Sequence, residues 1–259
     1  MKLNIVTPGT GFQWALSGMR AYVRQPLALS LLFLFLIVSM SMLNVVPRIG
    51  SVLTLALMPA VNLAMMIAAR EASLGPTSPF NILRSTWLQT RQHLRPLLVL
   101  GAIYAGSYLL LLGITATVDN GILARIYLFG GEVTEATVMR SDFQSAVLLM
   151  VALYTPLSMM FWHAPALVHW HQVSPVKSLF FSFVACGRNF LAFSVFVLSW
   201  IGIFFSVGIV AALLVEMFGN PELIASFLVP IGTLIVAMNF CSTYFTFQGC
   251  FAPSDVIDA

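Results

Sequence analysis

Six runs of about twenty apolar residues, with no Asp, Glu, Lys, Arg or His in the middle of any run, restrict this chain to one class of fold. They cover Leu27–Val46, Ile49–Ala69, Leu97–Val118, Ala146–Val168, Leu191–Val215 and Leu223–Gln248. A helix needs roughly 20 apolar residues to cross a hydrocarbon layer of about 30 Å. Barrel strands would read as short alternating segments, whereas these runs are continuous and rich in Leu, Ala, Met and Phe. Mean hydropathy is +0.95 and only 8% of residues are charged, against about 25% in soluble domains. A water-soluble enzyme, a disulfide scaffold and a nucleic-acid binder are thereby excluded. The expected fold is an all-α integral membrane protein, with six transmembrane helices arranged as three helical hairpins.

The basic residues orient the spans. Lys2, Arg20, Arg24, Arg70, Arg84, Arg91, Arg95, Lys177 and Arg188 fall on one side; Arg48, Arg125 and Arg140 fall on the other, with Asp119, Glu132, Glu135, Asp142, Glu216 and Glu222. Positive short loops stay cytoplasmic, so both termini are expected inside a bacterial inner membrane. The first run starts at Leu27, after an amphipathic stretch, and is too long for a signal-peptide h-region. It is expected to be a retained anchor. Cys186, Cys241 and Cys250 show no metal-ligand spacing.

A pattern recurs before the first, third and fifth spans: Arg24-Gln25-Pro26-Leu27, Arg91-Gln92-His93-Leu94 and Arg188-Asn189-Phe190-Leu191. Upstream, Phe12, Leu16, Met19 and Val23 share a helical face beside Arg20 and Arg24. Phe80, Leu83, Trp87 and Leu94 do the same beside Arg84, Arg91 and Arg95. An apolar stripe with a basic flank suits a helix lying in the cytoplasmic interface. The third such segment, Ser178–Gly187, is apolar nearly all round and is expected to lie deeper. Each hairpin's second helix carries an interior proline, Pro59, Pro156 or Pro230, expected to kink it. The expected organisation is a single membrane domain of three repeats, residues 10–72, 78–170 and 175–250. Its largest periplasmic element is the connection 119–145, where Asp119-Asn120-Gly121 signals a turn, Ile122–Phe129 a short helix and Gly130-Gly131 a hinge.

Several of these segments resemble a family of bacterial six-helix inner-membrane proteins that carries no assigned activity. They are Arg24-Gln25-Pro26-Leu27-Ala28, Val46-Pro47-Arg48-Ile49-Gly50, Met58-Pro59-Ala60, Ala164-Pro165-Ala166-Leu167-Val168 and Ser182–Phe190. The resemblance covers most of the chain and implies the same topology. A fainter similarity runs to the membrane domain found with some bacterial glycerophosphodiesterases. The chain departs from the first pattern after Asn189, where an aromatic followed by Leu-Pro is expected and Ala192 follows Phe190-Leu191 in place of the proline.

The polar residues left over define the candidate sites. Arg24, Arg91 and Arg188 are candidates for contact with anionic lipid headgroups or a partner's acidic loop, beside the plainer role of positive-inside anchors. Asn62 and Asn239 are candidates for lining a cavity or bonding a neighbouring helix; Asn44 and Gln248 lie nearer span ends. His163, His169 and His171 cluster at one end of the fourth span, and His163, the deepest, is the best candidate for a haem, pigment or metal ligand. The pairs Gly101/Ala105, Ala102/Gly106 and Gly202/Ser206 permit close helix approach. No nucleophile with a base, nucleotide loop or paired carboxylates is present. The expected function is therefore non-catalytic, by lipid or protein contact, with no cofactor: an accessory or assembly subunit of a larger membrane complex. The alternatives are a passive channel or permease for a neutral or lipid-like solute, and cofactor binding through His163.

Overall fold

A computed structural model of the chain describes residues 2–46, 49–75 and 78–251; Pro47 and Arg48 lie outside the described residues. The described residues form twelve helices. Six segments are long and apolar enough to cross a membrane. They are α2 (Pro26–Asn44), α3 (Gly50–Leu74), α5 (Leu94–Asp119), α8 (Ser141–Trp162) continued by α9 (Ala164–His171), α11 (Phe190–Phe218) and α12 (Pro221–Cys250). Three shorter helices, α1 (Thr10–Arg24), α4 (Pro79–Gln92) and α10 (Pro175–Arg188), precede α2, α5 and α11. A single non-helical residue separates each from its span: Gln25, His93 or Asn189. Two short helices, α6 (Ile122–Phe129) and α7 (Glu135–Val138), lie in the connection between α5 and α8.

The chain divides into two compact units. One holds residues through Leu34, Ala64–Gln89 and those from Ala185 onward; the other holds Phe35–Leu63 and Thr90–Val184.

In the first unit, α1 packs on α11 and α12 along Gly11, Trp14, Ala15, Gly18, Ala21 and Tyr22, all buried. These fall at i, i+3, i+4, i+7, i+10 and i+11, one helix face made mostly of small residues. A methyl group at Gly11 would stand 2.8 Å from the Phe196 nitrogen, and one at Gly18 would stand 2.5 Å from Ser242 Cα. Backbones thus meet almost directly, the packing mode that replaces hydrophobic burial where the solvent is itself apolar. The Trp14 ring fills the remaining space, 5.3 Å from Phe193 and 6.4 Å from Phe196. The stripe read from the sequence is on the other side of α1: Phe12 and Val23 are exposed, with Arg20 and Arg24 beside them.

The other two short helices repeat this two-sidedness. In α4, Ile82 and Thr86 are buried while Phe80 and Trp87 are exposed. In α10, Ser178, Ser182 and Ala185 are buried while Val176, Phe180 and Phe183 are exposed. α10 too carries a buried seam, in which Leu179 and Cys186 lie beside the small residues.

In the second unit the core joins α5, α6, α8, α9 and α10 through Leu100, Tyr104, Tyr108, Leu112, Leu123, Phe143, Met150, Leu157, Phe161 and Leu179. Gly101 meets α3, where an added methyl would stand 2.9 Å from the Ala56 carbonyl carbon. At the end of α5 the buried Asp119 carboxylate accepts from the Gly121 N–H at 2.9 Å and the Leu123 N–H at 2.6 Å. It satisfies free donors at the start of α6 and complements that helix's dipole. Asn120 (φ 56°) and Gly121 (φ 82°) make the reversal in the left-handed region that these two residue types tolerate best.

The fourth span differs from the uninterrupted helix expected over Ala146–Val168. It is broken at His163. Pro165 cannot donate to the Phe161 carbonyl, and its ring crowds that carbonyl. The Ser182 hydroxyl then enters the ladder, accepting from the His163 N–H at 2.9 Å and donating to the Met159 carbonyl at 2.7 Å. Met159 and His163 are the pair an unbroken helix would bond directly, so one serine bridges the gap and fixes the break. By contrast, α3, α8 and α12 continue through Pro59, Pro156 and Pro230.

Candidate functional site

Polar side chains inside the spans are few, so each can be traced to its use. Asn62 donates to the Trp162 carbonyl at 3.4 Å. That carbonyl ends α8 just before the break, one of the acceptors a helix terminus leaves over. Asn62 thus serves the Trp162 carbonyl, as Ser182 serves the His163 N–H and the Met159 carbonyl, at the break. Asn239 is half-buried on α12 and its carbonyl accepts from the Ser242 hydroxyl.

The repeated arginines close the short helices. Arg24, Arg91 and Arg188 each lie in the last turn of α1, α4 and α10, where a positive charge complements the helix dipole. All three are exposed. Arg24 also donates to the Ser73 carbonyl in the last turn of α3, at 3.2 Å.

Beside the third arginine, the amide that follows it is the more engaged residue. Asn189 is buried; its Oδ1 accepts from the Val6 N–H at 2.8 Å, and its Nδ2 donates to the Asn4 carbonyl at 3.0 Å and the Ala185 carbonyl at 3.1 Å. The Asn4 N–H in turn donates to the Cys250 carbonyl at 2.8 Å, and Leu3 bridges Phe251. Asn189 therefore clamps the first residues of the chain to the end of its last helix. Sequence alone flags an amide at this position but not its task.

The histidines separate into different roles. His163 is fully buried at the break. His169 pairs with His93, Nδ1 to Nδ1 at 3.1 Å, with the rings edge to face at 4.7 Å. Gln172 Nε2 donates to the His169 carbonyl at 2.8 Å, and the same nitrogen lies 3.1 Å from His93 Nε2. These contacts tie the start of α5 to the end of α9. His171, half-exposed, ends α9. Among the described residues no group of three or more His, Cys, Asp or Glu stands close enough to hold a metal ion.

The densest polar feature is one that sequence reasoning misses. Four tyrosines from three helices gather in the second unit. Tyr104 and Tyr154 share a hydroxyl hydrogen bond at 3.1 Å. Tyr108 packs on Tyr154 edge to face at 5.9 Å and on Tyr127 at 5.5 Å. Tyr104 also meets Phe161 at 5.0 Å. The only advance signal is Tyr104 and Tyr108 at i, i+4 on one face of α5.

Tyr127 stands at the mouth of this cluster and lines a half-open groove of about 670 Å³ with Asn44, Val46, Ser51, Leu128, Phe129 and Gly130. The groove brings together the end of α2, the start of α3 and the end of α6. The Ser51 hydroxyl donates to the Leu128 carbonyl at 3.2 Å and ties α3 to α6 there. Further along the connection, Arg140 forks onto Asp142 (Nε–Oδ1 3.0 Å, Nη2–Oδ2 2.6 Å), which raises the guanidinium pKa through those hydrogen bonds and the carboxylate charge. An exposed pair of this kind adds little to stability.

No family model and no solved structure matches the chain. A curated protein of Burkholderia thailandensis, named as a probable inner membrane protein, is 36% identical over 261 residues, spanning 98% of this chain and 96% of the relative. With six apolar segments of spanning length and a full-length relative of that name, the chain belongs to this family of multi-pass inner-membrane proteins.

Proposed function

We propose that the protein acts without catalysis, by contact, as an accessory or assembly subunit of a larger membrane complex. The observation that carries this reading is a contrast among small residues. Gly11, Gly18, Gly101 and Gly249 are filled from within, since an added methyl at each would collide with a neighbour. Gly106 and Gly113 on α5, Gly202 and Gly208 on α11 and Gly232 on α12 have nothing within 4 Å among the described residues. The two small-residue pairs on α5 thus face opposite ways: Gly101 and Ala105 are buried, Ala102 and Gly106 exposed. Gly202 and Ser206 are exposed likewise. Notches of this kind let a further helix approach closely.

Photoreactive residues placed at Gly106 and Ser206 test the reading. Cross-linking in native membranes is expected to give discrete protein adducts at both, and the adduct from position 206 is expected to disappear in a Gly202→Leu background. Lipid adducts alone at both positions would contradict it.

In this reading both termini are cytoplasmic, as the distribution of basic residues supports. A membrane-impermeant maleimide should label Glu132→Cys in intact cells and label Ser174→Cys only after permeabilisation; the reverse would invert the topology.

A second reading, a passive channel or permease for a neutral or lipid-like solute, is favoured by the groove beside Tyr127.

A further inference from the structure

We propose that the end of the first unit where α1, α2 and α3 meet holds the phosphate of an anionic phospholipid, with an acyl chain laid along α2. Arg20, Val23 and Arg24 fall at i, i+3 and i+4 on α1, and all three are exposed. Arg24 is also tethered. Its Nη1 donates to the Ser73 carbonyl in the last turn of α3, at 3.2 Å. A guanidinium carries five N–H donors in a planar fork that matches phosphate oxygens. One bond to Ser73 therefore fixes where the group stands while most of its donors can serve a ligand.

A second guanidinium lies within one helical turn of that tether. Arg70, Ser73 and Leu74 fall at i, i+3 and i+4 on α3, and the Ser73 hydroxyl donates to the Arg70 carbonyl at 2.7 Å. The Arg70 side chain is 31% exposed and stands 3.9 Å from Glu71, too far for a hydrogen bond. Glu71 itself accepts from Gln89 on α4 at 3.3 Å.

An apolar strip starts beside these cations. Gln25 alone separates α1 from α2, so Leu27 follows Arg24 closely. Leu27, Leu31 and Leu34 are exposed at i, i+4 and i+7, while Ala28, Leu29, Leu32 and Phe33 on the other side of α2 are buried. Cations at a helix end, with a line of leucines running from them along the span, match a phospholipid from head to tail. The phosphate gains charge-assisted hydrogen bonds, and the chain covers the leucines. A zwitterionic headgroup would bring its ammonium toward the same guanidinium groups and lose part of that gain. A headgroup of net negative charge is preferred for this reason.

This site stands apart from the subunit reading, because the purified chain alone tests it. The full chain is placed in liposomes with phosphatidylglycerol or, separately, phosphatidylethanolamine, each carrying the same photoreactive acyl chain. The phosphatidylglycerol probe is expected to label peptides containing residues 23–34 or 70–74 in preference to the other. Arg24→Gln and Arg70→Gln should each reduce that labelling roughly fivefold, the effect of one basic side chain at an anionic surface. Arg24→Lys should keep part of it. Arg20→Gln, at an exposed position, should also reduce it with the unfolding temperature unchanged, which separates lost binding from lost folding. Arg125→Gln on α6 should have no effect. Equal labelling by the two probes, labelling that the first two substitutions leave unchanged, or an equal loss in Arg125→Gln would overturn the site. Competition by glycerol phosphate in solution would assign the cations to a soluble phosphate ester and overturn the lipid.

Discussion

Gly18→Ala is expected to destabilise the protein by about 3 kcal/mol, the upper part of the range for overpacked interiors, because the new methyl has no space to enter. It would stand 2.5 Å from Ser242 Cα and 2.7 Å from the Ser242 nitrogen, and backbone cannot move aside as a flexible side chain can. The substitution must push α1 away from α12 and disturb the seam that Trp14, Ala15, Ala21 and Tyr22 form with it. Gly106→Ala is the matched control. That position has open space, so alanine should be neutral or gain up to about 1 kcal/mol of helix propensity. Thermal unfolding in one detergent checks both. Gly18→Ala should melt roughly 5–10 °C below the wild type; equal melting temperatures for the two variants would mean the close approach of α1 is wrong.

Asn189→Ala should have an effect of the same size by a different route. Truncation leaves the Val6 N–H and the Asn4 carbonyl without the side chain that now serves them, while the Ala185 carbonyl keeps the backbone N–H of residue 189. Part-buried groups orphaned in this way cost about 1–3 kcal/mol each, partly recovered where water enters, so a loss of about 3 kcal/mol is expected. The damage should be local as well as global. Once released from Asn189, residues 2–9 should become cleavable by a protease in detergent at conditions that leave the wild type intact. An unchanged N-terminal cleavage pattern would show that the clamp does not hold the terminus.

These two sites also show where the sequence is legible. The six spans can be read directly, because runs of twenty uncharged apolar residues have no other stable state. The short helices before α2 and α5 are legible from their outward stripes and closing arginines, and the one before α11 from its closing Arg188. Their inner seams escape notice because hydropathy ranks large apolar residues as the ones that pack. In a membrane that ranking inverts. Phe12 and Phe180 face outward, while Gly11, Gly18, Ser182 and Ala185 are buried.

The prolines teach a related lesson. Pro59, Pro156 and Pro230 draw attention as kink sites, and their helices continue through them. The span that does break has Pro165, with Ser182 from another helix bridging the His163 N–H and the Met159 carbonyl. That bridge joins residues 19 apart in sequence, and the His93–His169 pair joins residues 76 apart. No local periodicity encodes either contact. The tyrosine cluster is invisible for the same reason, since it collects single residues from α6 and α8 onto the pair on α5.

Whether the protein works as a subunit is decided most sharply by purification at native expression in a lipid-preserving detergent, followed by intact-complex mass spectrometry. The contact reading predicts a stoichiometric membrane-protein partner that is retained by the wild type and lost when Gly106 and Gly202 are both changed to leucine. A monomer carrying only lipid, identical in wild type and double variant, would contradict it.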